Sequence, residues 1–390
     1  MLLVLLVVAF YAARIPATAG ETAYMPVTAV ALAAPVAPTP EPTVELTAEQ
    51  TASPTTTPLP TSTARAPTAT STATPTPLPE PRIFIASERA NAIQVWQGEP
   101  PRLITSIRAG NFPHNISVSN DARWVAVANR HSNDISIIDA AALTEITRVR
   151  VGKAPHDMAW SPDNRRLYVT QENEFFITVI DTATWRLADS IPLDTPQHDL
   201  ALSPDGTELW VTTIRYRGLL VINRATGDVI ERLAYFPHGS HDITFRPDAG
   251  EVWVTSSGFI RDASQIDPYI VIFDRATRKI KANQPFGVYP FHSVKLFRDG
   301  LYLPSNADTL WYSDRGLGGV ILVSVPRREV VAEIKTGAAP FHLSFGPNGL
   351  LYVANHDDAT LSVIDPRQRV LLHSERVAPD PHGIVVVAAP

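Results

Sequence analysis

Residues 155–170 read Pro155-His156-Asp157-Met158-Ala159-Trp160-Ser161-Pro162-Asp163-Asn164-Arg165-Arg166-Leu167-Tyr168-Val169-Thr170. Pro155 to Trp160 alternates as a short strand, Ser161 to Asn164 has the composition of a tight turn, and Arg166 to Thr170 is a second strand rich in β-formers. After a polar loop, Ile177 to Asp181 makes a third strand, Thr182-Ala183-Thr184 turns, and Arg186 to Pro192 makes a fourth. Four short strands joined by hairpin turns form one blade of a β-propeller.

The unit repeats. Its turn returns as Ser203-Pro204-Asp205-Gly206, Arg246-Pro247-Asp248, Arg298-Asp299-Gly300 and Gly346-Pro347-Asn348-Gly349. Its second strand returns as Trp124-Val125-Ala126, Leu209-Trp210-Val211, Val252-Trp253-Val254, Leu301-Tyr302-Leu303 and Leu351-Tyr352-Val353, where the aromatic side chains are read as packing between blades. A period of this size marks an array of one supersecondary unit. The last unit stops after one strand, Gly383 to Val387. The array opens with three strands, within Arg82–Ile85, Ala92–Trp96 and Leu103–Ile107. One strand from the end and three from the beginning complete a blade. The expected fold is all-β, a seven-bladed β-propeller over residues 82–390.

Residues 1–81 have a different composition. Leu2 to Ala13 is an apolar run too short for a comfortable span of about 20 residues, and Ala17-Thr18-Ala19 offers a small-x-small cleavage site. Residues 1–19 are therefore read as a secretory signal peptide or a short membrane anchor. Residues 20–81, dense in Pro, Thr, Ala and Ser from Val36 onward, cannot form a core and are read as a disordered Pro/Thr-rich linker. Fully extended at about 3.1 Å per residue, the denser part would reach roughly 140 Å. The expected location is extracytoplasmic, secreted or at the cell surface, with membrane contact only through an uncleaved N-terminus.

Composition removes several functions. The chain has no cysteine, which excludes disulfides, thiolate metal sites, cysteine nucleophiles and a lipoprotein anchor. A net charge of −6 gives no reason to expect nucleic acid. No Gly-rich phosphate loop leads from a strand into a helix, and no Gly-x-Ser-x-Gly elbow is present.

The candidate site comes from the period. His114, His156, His198, His241, His292, His342 and His382 each open the same short pattern in successive units. A closed array would bring all seven imidazoles round one axis. Such a ring of nitrogen donors suits copper or another transition metal, with Asp157, Asp199 and Asp242 as neighbouring acceptors. Bonds of about 2 Å cannot bring seven imidazoles onto one ion, so three or four would bind one, or the ring would hold a cluster. The loops between second and third strands open on the same face and are the most individual parts of the chain. They offer Arg130, His131, Glu172, Arg215, His356 and Asp357, and two long insertions add Arg261, Asp262, Trp311 and Arg315. Long insertions on one face of a repeat array mark its binding face.

Leu351-Tyr352-Val353-Ala354-Asn355, Ser362-Val363-Ile364-Asp365 and the Pro-His-x-x-x-x-Ser-Pro-Asp pattern at Pro155–Asp163 resemble the YVTN family of seven-bladed, WD40-like β-propeller repeats. That resemblance implies the fold across residues 82–390 and leaves function open. Relatives of the family include surface and partner-binding domains and the propellers of quinoprotein dehydrogenases, nitrite reductases and nitrous-oxide reductase. The last of these holds copper through histidines. Histidine after proline is also common at this position in YVTN repeats, so duplication alone could have copied it. The expected role is a non-catalytic binding or scaffold module that takes a protein or small molecule at the histidine-ringed face. A copper- or haem-dependent redox protein is the alternative. A lactonase-like hydrolase using Glu172, His156 and Arg215 is the third reading.

Overall fold

The computed structural model describes residues 80–213, 218–234, 236, 239–246, 250–256, 269–285, 295–297, 300–305 and 318–389. The chain divides into two units, Met1–Thr72 and Ala73–Pro390, and every described residue lies in the second. The expected signal at 1–19 and nearly all of the linker at 20–81 lie outside the described residues. Among the described residues there is no helix, and so none long and apolar enough to cross a membrane.

The fold is a β-propeller of seven four-stranded antiparallel sheets. The first joins β1 (Pro81–Ser87), β2 (Ala92–Gln97) and β3 (Arg102–Arg108) to the last strand of the chain, β28 (Pro381–Ala388). Next come β4 (Pro113–Val118), β5 (Trp124–Asn129), β6 (Asp134–Asp139) and β7 (Thr144–Arg150). The third sheet is β8 (Pro155–Trp160), β9 (Arg166–Gln171), β10 (Phe176–Asp181) and β11 (Arg186–Pro192). The fourth is β12 (Leu200–Leu202), β13 (Glu208–Thr213), β14 (Gly218–Asn223) and β15 (Val229–Ala234). The fifth is β16 (Ser240–Arg246), β17 (Glu251–Ser256), β18 (Tyr269–Asp274) and β19 (Ile280–Pro285). The sixth is β20 (Lys295–Phe297), β21 (Gly300–Ser305), β22 (Gly319–Ser324) and β23 (Glu329–Lys335). The seventh is β24 (Pro340–Phe345), β25 (Leu351–Asn355), β26 (Thr360–Asp365) and β27 (Val370–Arg376).

β28 pairs with β1 from Pro81↔Ala388 to Ser87↔Pro381. The first strands of neighbouring sheets touch in the order β4, β8, β12, β16, β20, β24, β28 and back to β4. Gly383 fits this arrangement, because a Cβ there would lie 2.6 Å from the His114 carbonyl oxygen and collide with β4.

Burial follows strand position. Second and third strands pack against neighbouring sheets on both faces, so β9 and β14 are buried along almost their whole length, whereas β11 is exposed at most of its positions. Trp210 and Trp253 are fully buried between sheets, as the repeat pattern predicts. Burying a large apolar side chain is worth about 1.5–3 kcal/mol, so the inter-sheet clusters dominate the stability.

The repeated polar residues are structural. In the Ser-x-Asp turns, Ser119, Ser161 and Ser203 donate through Oγ to Asp121, Asp163 and Asp205, two residues on. The same Oγ atoms accept the backbone N–H of Trp124, Arg166 and Glu208, which fixes the entry of each second strand. Asn164 and Gly206 occupy the left-handed position these turns require, at φ of 56° and 68°. Asn355, the last residue of the quoted YVTN-like run, donates through Nδ2 to Ser362 Oγ at 2.8 Å, as Asn129 does to Ser136. Both bonds tie the end of a second strand to the third.

Candidate functional site

The period places a histidine at the second position of β4, β8, β16 and β28 and at the third of β24, while His198 stands two residues before β12. Six of the seven expected residues form one continuous arc of imidazoles. In order they run His241, His198, His156, His114, His382, His342, with ring centroids 4.1, 3.8, 4.8, 3.7 and 4.6 Å apart. His292 lies outside the described residues. All but His342 are at most 8% exposed, so the rings pack against one another with little access for bulk water.

Asp199 organises one side of the arc. His198 Nδ1 lies 3.0 Å from its carboxylate, His241 Nδ1 3.1 Å and His156 Nδ1 3.3 Å. A carboxylate taking the Nδ1 side of an imidazole leaves the lone pair of the neutral ring on Nε2. Glu172, on the β9–β10 turn, faces that side: its Oε1 is 3.7 Å from His156 Nε2 and 3.6 Å from His198 Nε2. Arg130, on the β5–β6 turn, donates to the other Glu172 oxygen.

The other side is built differently. His114 and His382 meet through their Nδ1 atoms at 2.9 Å, so one ring donates and the other accepts. The Asn115 amide oxygen lies 3.2 Å from His114 Nδ1, and the Glu88 carboxylate stands off at 3.8 Å. Glu88 also lies 3.6 Å from Nε2 of His356, whose Nδ1 is 2.8 Å from Asp357. His356 stacks on Phe341, and His131 stacks on Phe112.

Protonation follows these partners. Burial, reinforced by the charges of His156 and Arg130, holds His114 well below the ordinary imidazole range. Burial depresses His198 to about 4 in spite of Asp199. Burial opposes charge at His156 as well, but the hydrogen bond and charge of Asp199, with Glu172 and Asp157, outweigh it and raise the ring's pKa. Burial works against ionisation of Asp199 and Glu172, yet the surrounding imidazoles, and Arg130 for Glu172, hold both below the usual carboxylate range. Burial and the neighbouring Asp199 push Asp157 up to about 7.

Three groups of ligand atoms converge to within 4.8 Å: His156, His198 and Asp199; Glu88, His114 and His382; and, less buried, Glu88, His356 and Asp380. The first strands and the residues leading into them line a cavity of about 280 Å³ bordered by Asp157, Asp199, Asp242 and Asn115.

Of the loop residues singled out from the sequence, Glu172 touches the arc directly and Arg130 reaches it through Glu172. His356 reaches it beside His382, with ring centroids 6.4 Å apart. His131 and Asp357 lie on the same turns as Arg130 and His356. Arg215, Arg261, Asp262, Trp311 and Arg315 lie outside the described residues. Glu88 was missed. It follows the last residue of β1 as Glu172 follows β9, Arg130 follows β5 and His356 follows β25. Counting one residue past each second strand would have found it, but the histidine of its sheet, His382, comes on β28 at the far end of the chain.

A family model described as "Lactonase, 7-bladed beta-propeller" matches residues 85–212, about a third of the chain. No curated protein matches the chain. Among solved structures, similarity is found to the periplasmic gluconolactonase PpgL of Pseudomonas aeruginosa, at 17% identity and a TM-score of 0.64, covering 80% of this chain and 100% of that one. Hydrazine synthase of Kuenenia stuttgartiensis is similar at 14% identity and a TM-score of 0.62, covering 70% and 89%. The dihydro-heme d1 dehydrogenase NirN is similar at 15% identity and a TM-score of 0.56, covering 78% and 74%. At these identities the likeness is one of fold: all three share the propeller.

Proposed function

We propose that this chain is an extracytoplasmic binding protein whose histidine arc takes a transition-metal ion. In this reading the YVTN-like repeats of residues 82–390 form a closed seven-bladed ring, carried on the Pro/Thr-rich segment 20–81 behind the signal or anchor at 1–19. The periplasmic location named for the P. aeruginosa gluconolactonase is in keeping with the extracytoplasmic assignment.

One observation carries the metal reading. Glu172 Oε1 faces Nε2 of both His156 and His198 at 3.6–3.7 Å, while the Asp199 carboxylate hydrogen-bonds Nδ1 of His198 and lies 3.3 Å from Nδ1 of His156. Metal–ligand bonds of about 2.0–2.2 Å in tetrahedral geometry place ligand atoms about 3.3 Å apart, and each Glu172–imidazole separation is within a few tenths of an ångström of that spacing. Two imidazoles and a carboxylate, with a second carboxylate orienting the rings from behind, suit zinc or copper(II). A haem group fits poorly, because centroid spacings of 3.7–4.8 Å leave no gap for a macrocycle between the described rings.

A hydrolytic reading has a separate observation in its favour. The lactonase match spans Arg130, His156 and Glu172, and Arg130 donates to Glu172, whereas Arg215 lies outside both the match and the described residues. Lactone opening by the wild type that is lost in Glu172→Gln would establish it.

The test of the metal reading uses protein purified without an affinity tag and stripped with chelator. Zinc or copper(II) should bind saturably near neutral pH and raise the melting temperature, since the ligands converge only in the folded ring. Replacing His156, His198 and His241 together should remove most of the binding, and His373→Ala, on the outer strand β27, should leave it intact. Equally weak binding by wild type and triple variant overturns the reading.

A further inference from the structure

Beside the arc, the β5–β6 turn, the β9–β10 turn and the segment leading into β8 border an open depression of about 470 Å³. Its lining is Arg130, His131, Asn133, Lys153, Ala154 and Asn173, with no carboxylate. Lys153 has no ion-pair partner among the described residues. Arg130 commits Nη2 to Glu172 and leaves its other guanidinium N–H groups uncommitted among them. Asn133 uses its side-chain oxygen to accept the N–H of Ala154 at 3.0 Å, so its amide NH₂ remains a donor. Glu174 accepts from the backbone N–H of Lys153 and stands outside the lining.

The depression is thus a concave set of nitrogen donors without a carboxylate, on a chain whose net charge is −6. The equivalent β25–β26 turn carries Asp357 and Asp358, so basic character is not shared by every turn of the repeat. A guanidinium fork and an ammonium group together match the geometry and charge of a planar or tetrahedral oxyanion. The volume falls within the range of small-molecule sites, about 300–1,000 Å³.

We propose that this depression binds the carboxylate or phosphate group of a small organic anion, held by Arg130 and Lys153 with the amides of Asn133 and Asn173. Arg130 belongs to both sites, so the anion lies next to Glu172 and the arc. The proposal stands whether or not the arc holds metal.

The test therefore uses metal-stripped full-length protein at low ionic strength, titrated calorimetrically with succinate and separately with inorganic phosphate. Saturable binding of either anion is expected, weakening as salt is added. Succinate alone identifies a carboxylic acid, phosphate alone a phosphate-bearing ligand, and both support the site. Lys153→Met combined with Asn173→Ala changes side chains outside the core and should preserve the melting temperature. That variant should weaken binding at least about tenfold, the scale of one charged hydrogen bond. Absence of saturable binding by folded wild type, or equal binding by the double variant, overturns the proposal. Metal titration of the same samples keeps this outcome separate from that of the arc.

Discussion

Two stretches of one histidine arc, built from the same residue at the same point of the repeat, have different polar partners. In the stretch from His156 to His241, three imidazoles share one buried carboxylate, Asp199. In the stretch from His114 to His342, imidazole meets imidazole, and the Glu88 carboxylate beside the His114–His382 contact stands 3.8 Å off. The residue after each histidine differs between the two stretches. It is aspartate after His156, His198 and His241, but asparagine after His114, leucine after His342 and glycine after His382. A repeat can therefore keep a ring of side chains while its neighbours decide which members hold a proton or are presented to a metal.

The largest effect is expected at Asp199. Removing one partner of a buried charged cluster costs about 3–5 kcal/mol, because the remaining groups stay buried without compensation. Asp199→Ala should show a loss on that scale in denaturant unfolding of metal-free protein. Asn115→Ala, at the matching position of the other stretch, loses one neutral hydrogen bond and should cost about 1 kcal/mol. Equal losses would show that the two stretches are energetically alike.

Metal affinity should divide the arc in the same way. Glu172→Gln removes the carboxylate that faces both Nε2 atoms, and affinity for zinc should fall by about 10- to 100-fold or more, the range seen when even an orienting group is lost. The pair His342→Ala and His382→Ala should change it far less. If that pair abolishes binding and Glu172→Gln does not, the ion belongs to the Glu88–His114–His382 group.

Much of this division was legible in the chain. The four-strand grammar of residues 155–192 pointed to the sheet pattern, and the period pointed to the histidines. The His-Asp dipeptides marked the acidic stretch. Sequence could not say that Asp199 would serve three imidazoles while Asp157 is pushed up to about 7, since that depends on which carboxylate lies between the rings. Glu88 was hidden for a related reason. Its strand β1 belongs to a sheet completed by β28, at the far end of the chain, so no local pattern placed it beside His114. The polar repeats were legible as well: Ser161 and Asp163, read from composition as a turn, bond as one, and Asn355 ties a strand end.

The pH dependence of stability separates individual rings of the arc next. His114 and His198 have depressed pKa values, so the folded state holds them neutral. Once the pH falls below the unfolded value of about 6.5, protonation favours the unfolded chain, at up to about 1.4 kcal/mol per pH unit for each ring. His156 is raised, so its contribution is complete below about 6.5 and is lost as the pH rises through its folded value. Asp157, at about 7 when folded, also loses its contribution as the pH climbs to that value. The stability of metal-free protein should therefore decline on both sides of a maximum. His114→Asn should flatten the acid limb and leave the alkaline limb in place. An unchanged acid limb would remove His114 from the account.

The smallest and most specific change is Asn115→Asp, which gives His114 the neighbour that His156 and His198 already have. Asn115 Oδ1 already lies 3.2 Å from His114 Nδ1, so the substitution replaces an amide oxygen with a carboxylate of nearly the same shape. The opposing terms are comparable. Burying a new carboxylate is unfavourable, while its charge against a buried imidazole favours the protonated ring. Because both scale with the same low-dielectric surroundings, the net change in stability should stay near 1 kcal/mol, roughly that of one hydrogen bond. The protonation pattern should change more clearly. His114, now held well below the imidazole range, should move upward, and proton transfer along the His114–His382 contact should favour Nδ1–H on His114. Imidazole resonances followed by NMR against pH would show the ring rising toward the behaviour of His156. A His114 that stays depressed in the Asn115→Asp variant would mean that burial and the charges of His156 and Arg130 set its state, and that the residue after the histidine does not explain the difference between the stretches.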